Sequence, residues 1–255
     1  MKICISNKNK NVLKAILLII GLWFLLSLFN SEHVVPPLHS VFAKLIEILT
    51  TPERLKNIGI TFFRLFLAMT ISVILGTALG VLSVVLPKIK EVVKEMLNIF
   101  QVIPPVSILI MAIMWFGLNG MPAIFIVVVS LIPLIAVNMI DATDNVDVKL
   151  LEMAKVYQLS KLDIVWRIYI PSVREQLWTA IKIGLTMGAK ILVMGEVLTT
   201  TTGIGGKITT ARLNLEPESV IAWTVITVCL YFLLEKAIDF IKKRSVYENA
   251  QQRTD

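Results

Sequence analysis

The sequence predicts an all-α membrane protein with six transmembrane helices. Three observations carry this prediction. Of its 255 residues 56% are hydrophobic and only 17% charged, a composition too apolar for a soluble domain of this size. The apolar residues come in runs long enough to cross a bilayer, separated by polar segments. Lys and Arg lie mostly at the ends of those runs, as orientation signals do. The net charge of +7 is therefore not a nucleic-acid footprint. Cys4 and Cys229 give neither a disulfide framework nor metal spacing, and His33 and His39 are too isolated to be ligands. No nucleophile–base pair, paired carboxylates or metal cluster can be read. The chain is expected to be no enzyme by itself and to need no cofactor.

The first span, residues 12–29, follows a tail carrying Lys2, Lys8 and Lys10. Asn30-Ser31-Glu32 offers no small-x-small cleavage site, so the run reads as a retained span and not a signal peptide. Pro36-Pro37 then breaks the chain. Leu38, Val41, Phe42, Leu45, Ile46 and Leu49 recur at helical spacing, opposite His39, Lys44 and Glu47. That predicts an amphipathic helix, lying on the bilayer surface or packed on neighbouring spans. The second span, about 60–86, ends at Pro87. Its Gly76 and Gly80 form a small-xxx-small pair that admits another helix closely, and Arg64 near its start is expected to snorkel to the head groups. The third, about 96–118, contains Pro104-Pro105, which removes two helix hydrogen bonds and predicts a kink or a broken helix. Such a break either lines a pathway or is merely packed. After Asn119-Gly120 the fourth span covers about 121–140.

The stretch from Asp147 to Pro171 is polar and sits almost alone between apolar runs. Leu150, Leu151, Ala154 and Leu159 give one apolar stripe of a short helix. Ser160 offers an N-cap with Asp163 as its capping-box partner, and a second helix is expected to run until Pro171 stops it. The fifth span, about 177–198, holds Lys182, Lys190 and Glu196. Its Gly184, Gly188 and Gly195 fall within about 40° on a helical wheel, a smooth face for close packing. Lys190 and Glu196 lie about 120° apart and do not pair along one face. Lys190 must meet water, a group on another span, or a dimer axis. In the loop 199–217, Gly205-Gly206-Lys207 brushes against a phosphate-binding loop but is followed by Ile208, and nucleotide binding is rejected. The sixth span is about 220–241.

With a cytoplasmic amino terminus, the inside segments hold the basic tail, Lys88, Lys90 and Lys94, the lysines and arginines of the central loop, and the Lys242-Lys243-Arg244 cluster. Only Lys44, Arg54, Lys56, Lys207 and Arg212 remain outside. Positive-inside counting thus places both termini and the central loop in the cytoplasm.

Within that loop Glu152-Met153-Ala154, followed by Ile168-x-Ile170-Pro171, resembles the EAA loop of the membrane-spanning subunits of binding-protein-dependent ABC importers. Glu152, Ala154, Ile168 and Pro171 match in register, Met153 and Ile170 are conservative changes, and Gln158 stands where the family has Gly. A non-Gly residue in the left-handed turn that Gly permits costs on the order of 1 kcal/mol. Val102-Ile103-Pro104-Pro105 with Trp115-Phe116-Gly117-Leu118, and Gly195-Glu196-Val197-Leu198 with Thr202-Gly203-Ile204-Gly205, are similar to segments of the nitrate/sulfonate/taurine subfamily. The resemblance spans roughly residues 34–244.

It implies the type I importer permease fold in three parts. Residues 1–58 hold the tail, first span and external helix; 59–244 form a five-helix core with the coupling loop at 142–174; 245–255 form a cytoplasmic tail. It also implies a bacterial cell-membrane location and partners: a second permease copy, two ATPase subunits on the central loops, and an extracytoplasmic substrate-binding protein. The expected ATPase-coupling residues are Glu152, Ala154, Gln158, Leu159, Ser160 and Pro171, with Glu152 meeting a basic group and Ala154 allowing close helix approach. Pro104, Pro105, Trp115, Lys190 and Glu196 are the expected pathway residues, and the substrate class is a small anion such as a sulfonate, taurine or nitrate. The alternative is a secondary transporter or channel that needs no ATPase; the absence of a second Pro-Pro interruption in the other half speaks against it.

Overall fold

The structure is a computed structural model that describes residues 14, 17, 18, 20–32 and 34–251. The basic residues before Lys14, Cys4, His33, the first part of the first span and the last four residues lie outside the described set. Among the described residues the secondary structure is helical. The helices are α1 (Ile20–Phe29), α2 (Leu38–Thr50), α3 (Pro52–Val85), α4 (Pro87–Val102), α5 (Pro105–Phe116) and α6 (Met121–Asp144). After them come α7 (Val148–Val156), α8 (Lys161–Ile164), a π turn (Val165–Tyr169), α9 (Ile170–Thr199), α10 (Gly203–Leu213) and α11 (Pro217–Gln251).

Proline sets many of these boundaries. Pro52, Pro87, Pro105 and Pro122 each stand in the first turn of a helix, where a missing N–H leaves no bond unmade. At the α5–α6 turn the Asn119 carbonyl oxygen accepts from Met121 N at 2.7 Å while its amide donates to Phe116 O at 2.6 Å, so one side chain closes both helix ends.

The core is built around α6, whose Ile126, Val127, Leu131, Ile135, Met139 and Ile140 are buried. Helices α3 and α9 flank it, and both approach through glycine. A Cβ added to Gly76 would stand 2.8 Å from Ile135 Cβ, and one added to Gly80 2.5 Å from Met139 Cβ. From the other side Gly188 meets Leu131 and Gly195 meets Ala123, each at 3.0 Å from an added Cβ. Both glycine patterns in the sequence thus serve one purpose, letting two helices press on α6 at backbone distance. Outside this slab, α11 is tied to α9 by polar contacts. Lys182 pairs with Asp239 at 2.9 Å and Glu235 at 3.4 Å, Lys242 with Glu175 at 2.7 Å, and the Thr186 hydroxyl donates to the Tyr231 oxygen at 3.0 Å.

Several expectations change. Pro104-Pro105 does break the third span, but α4 and α5 meet at 87°, a corner and not a kink. Helix α4 turns back along the end of α6, where Lys90 pairs with Asp144 and Lys94 with Asp141. By length and apolar character three helices can cross a bilayer, Pro52–Ser83, Met121–Asp144 and Pro217–Lys243, and the bent pair makes a fourth if taken as one span. The remaining two of the six expected spans are α1, described as a short apolar helix, and α9. At 30 residues α9 is about 45 Å long, with Lys182, Lys190 and Glu196 diluting its apolar character. Helix α2 packs on neighbouring helices, with Val41 and Ile48 buried against Ile204, Ala222, Trp223 and Ile226. Helix α3 runs through the division expected at residue 58 and α11 through that at 244.

Candidate functional site

Two places concentrate the polar chemistry, one at each end of the helical slab. The first is the central loop. Asp147 caps α7 by accepting from Lys149 N at 2.9 Å. The helix ends as Gln158 enters the left-handed region at φ 51°, and Leu159 N reaches back to Ala154 O at 3.0 Å. Gln158 therefore adopts a left-handed conformation that Gly would take at lower cost, and the turn carries local strain. Ser160 Oγ accepts from Asp163 N at 3.1 Å and donates to the Asp163 carboxylate at 2.6 Å, so α8 starts where the capping pattern said.

Pro171 does not stop this segment. The backbone passes from α8 through the π turn straight into α9, with Pro171 at its second position. The widened turn, closed by Ile170 N on Val165 O, already departs from the α-type ladder where Pro171 lacks its N–H, so the helix continues. Helix α8, the π turn and α9 are thus one connected rod.

The side chains of α7 divide cleanly. Ala154 is 0% exposed within the main core cluster, with Leu151, Leu159 and Ile164 packed around it. The close approach its small side chain permits is to this chain's own interior. Glu152 faces outward with no ion pair among the described residues, beside Val148, Met153, Val156 and Tyr157, all exposed. An exposed apolar patch around one unpaired carboxylate, on a polar loop between spans, has the composition of a protein contact surface.

The second place lies at the opposite end, and the sequence reading missed most of it. Glu196 is 0% exposed. Its carboxylate accepts from Thr61 Oγ1 at 2.8 Å, Arg64 Nη1 at 2.7 Å and Gly205 N at 3.0 Å. Arg64, far from snorkelling, also donates to Thr202 O at 3.2 Å and to Thr202 Oγ1 at 2.9 Å. The reason is desolvation, since a fully buried carboxylate needs a paired cation and donors for its lone pairs. The loop expected at 199–217 contains helix α10, whose first turn is built on this carboxylate. Gly203 has φ 82°, and a Cβ there would strike the Glu196 oxygens. Asn57 Oδ1 accepts from Gly203 N at 3.0 Å, and Thr61 Oγ1 from Ile204 N at 2.7 Å. The one signal available beforehand was a pair of opposite charges, Arg64 and Glu196, each stranded in an apolar run.

The other expected pathway residues are dispersed. Pro104 and Pro105 form the α4–α5 corner. Trp115 is mostly exposed and packs edge-on to Phe116 and Phe125. Lys190 is exposed on the same stripe of α9 as Ile183 and Met187, away from Glu196. Among the described residues no group of three or more His, Cys, Asp or Glu could hold a metal ion.

In this helical slab a capped polar loop joins the central helix α6 to α9, the helix that carries Lys182, Lys190 and Glu196. Residues 68–246 match the family described as binding-protein-dependent transport system inner membrane component, and the chain belongs to that family, the permeases of ABC importers. It is 22% identical over 220 residues to the taurine transport system permease protein TauC of Escherichia coli (strain K12), covering 84% of this chain and 80% of that protein. It is 25% identical over 190 residues to the nitrate import permease protein NrtB of Leptolyngbya laminosa, covering 74% and 68%. Among solved structures, an inward-facing form of the MetNI methionine ABC transporter superposes with a TM-score of 0.68 at 21% identity, over 74% of this chain and 94% of that one. A bacterial alginate ABC transporter, in complex with an alginate pentasaccharide-bound periplasmic protein, superposes with a TM-score of 0.64 at 14% identity, over 94% and 96%.

Proposed function

We propose that the chain works as a dimer in the bacterial cytoplasmic membrane, termini inside, as the translocating subunit of an ATP-driven importer for a small anion. Two separate ATPase subunits dock on the two α7 surfaces, and an extracytoplasmic binding protein delivers substrate to the α10 end. The observation that carries this reading is the outward face of α7. Glu152 makes no ion pair among the described residues and stands amid exposed Met153, Val156 and Tyr157, while Ala154 on the opposite face anchors the helix in the core. A partner pushing on α7 therefore pushes on the slab. The continuous α8–π–α9 rod carries that push to the stripe bearing Lys190, which supports Lys190, with the Pro104-Pro105 corner and Trp115, as pathway residues. Glu196 serves the same path by fixing its outer end. Gln158, Leu159, Ser160 and Pro171 shape the turn. The sulfonate, taurine or nitrate class of substrate rests on the relatives' names.

The test is Glu152→Lys. A charge-assisted contact at a partly buried interface is worth roughly 1.5–3 kcal/mol. The variant should insert normally yet recover less ATPase on co-purification and lose most uptake. Normal ATPase recovery with full uptake would remove Glu152 from the interface.

A further inference from the structure

Between the start of α3 and the α5–α6 turn lies a cleft of about 650 Å³. Lys56 and Arg64 are the charged residues lining it, Gly59, Asn119 and Gly120 contribute to its wall, and Ile60, Phe63 and Met121 add an apolar side; no carboxylate is among the lining residues. We propose that this cleft is a binding site for a small organic oxyanion, a sulfonate or carboxylate with a short carbon skeleton, at the outer mouth of the permease. The proposal rests on the importer reading above for the word outer, and adds where the anion first meets this chain.

The donor count supports it. A guanidinium has five N–H donors and cannot lose its charge. Nη1 of Arg64 contacts Glu196 Oε1 and Thr202 O, and Nη2 contacts Thr202 Oγ1. These contacts use three donors. Nε–H and the second Nη2–H remain, adjacent on one edge of the guanidinium and spaced for two oxygens of one head group. Glu196 offsets the charge of Arg64, so Arg64 supplies direction and little net field. The net charge comes from Lys56, which is exposed and makes no ion pair among the described residues. Asn119 contributes shape alone, because both ends of its amide are used at the helix turn. Gly120 makes room for the site, since a Cβ there would overlap the guanidinium. The apolar wall suits the carbon part of an alkylsulfonate better than a bare inorganic ion.

The experiment uses the full-length chain in lipid nanodiscs with radiolabelled ethanesulfonate as probe. Saturable binding is expected, displaced by methanesulfonate and untouched by choline. Lys56→Gln should weaken it roughly fivefold, the scale of one partly solvated charge contact, Lys56→Arg should retain it, and Gly120→Ala should weaken it by dislodging Arg64. ATPase co-purification should be the same for wild type and Lys56→Gln, which separates failure of this site from failure of the importer reading. Equal affinity in Lys56→Gln and wild type overturns the proposal. So does a site held by lipid phosphate, which would appear as no ethanesulfonate binding and a phospholipid adduct in native mass spectra that Lys56→Gln abolishes.

Discussion

Three donors converge on Glu196 from a hydroxyl, a guanidinium and a backbone N–H, and each comes from an element that would otherwise drift. Thr61 and Arg64 bring α3, and Gly205 brings α10. Removing the carboxylate leaves Arg64, whose side chain is only 12% exposed, without its counter-charge, a change that typically costs about 3–5 kcal/mol. Glu196→Ala is therefore expected to lower the melting temperature of the purified permease sharply. The double change Arg64→Met with Glu196→Leu should be much less harmful, because no charge is stranded. If the single and double variants melt alike, the pair does not hold this end together. Lys190 behaves differently. Exposed on its stripe, it makes no ion pair among the described residues, so its removal is expected to leave the melting temperature unchanged.

At the scale of the helices, packing is decided by what glycine omits. Gly80→Val puts a branched side chain where Met139 already sits, and overpacking of this kind costs typically 1–3 kcal/mol. The expected result is a lower melting temperature with α3 displaced from α6. Gly59→Val is the control, because an added Cβ there meets nothing within 4 Å. Equal loss in both would mean that helix propensity, not contact, governs the effect. Most helices were legible because apolar runs and prolines mark them. The rest was hidden for specific reasons. Helix α10 reads as a loop, since Thr201-Thr202-Gly203 and Gly205-Gly206 lack any apolar period, and its start is fixed by a distant carboxylate. The corner at Pro104-Pro105 was legible as a break, but its angle goes with how α4 lies on α6, Leu97 against Ala136 and Ile140 and Lys90 and Lys94 at Asp144 and Asp141. The π turn before Pro171 has no pattern of its own. In the central loop the cap at Ser160 and the match at Glu152 could be read from local spacing. The inward face of Ala154 could not, because it depends on what α6 and α9 present to it.

For the whole molecule, one end gathers α2, the α5–α6 turn, α10 and the start of α11, while the other gathers α4, α7 and α8. Sidedness then becomes a single question. In a background lacking Cys4 and Cys229, Lys149→Cys on α7 is expected to react with a membrane-impermeant maleimide only from the cytoplasmic face. Leu213→Cys on α10, exposed in the structure, should react only from outside. Reaction of both from one face would contradict the slab itself, and a swapped pattern would invert the importer's direction.

The glycine seats on α6 also constrain how this chain can evolve and how its defects can be repaired. A substitution at Gly76 or Gly80 enlarges a position that faces Ile135 or Met139, so intragenic suppressors should arise by trimming those two α6 residues. The reverse lesion has no such remedy. If Ile135 or Met139 grows, the opposing glycine is already the smallest residue available and cannot shrink. Suppressor selections should therefore be one-directional along this contact, and α6 should accept smaller residues at 135 and 139 far more readily than larger ones.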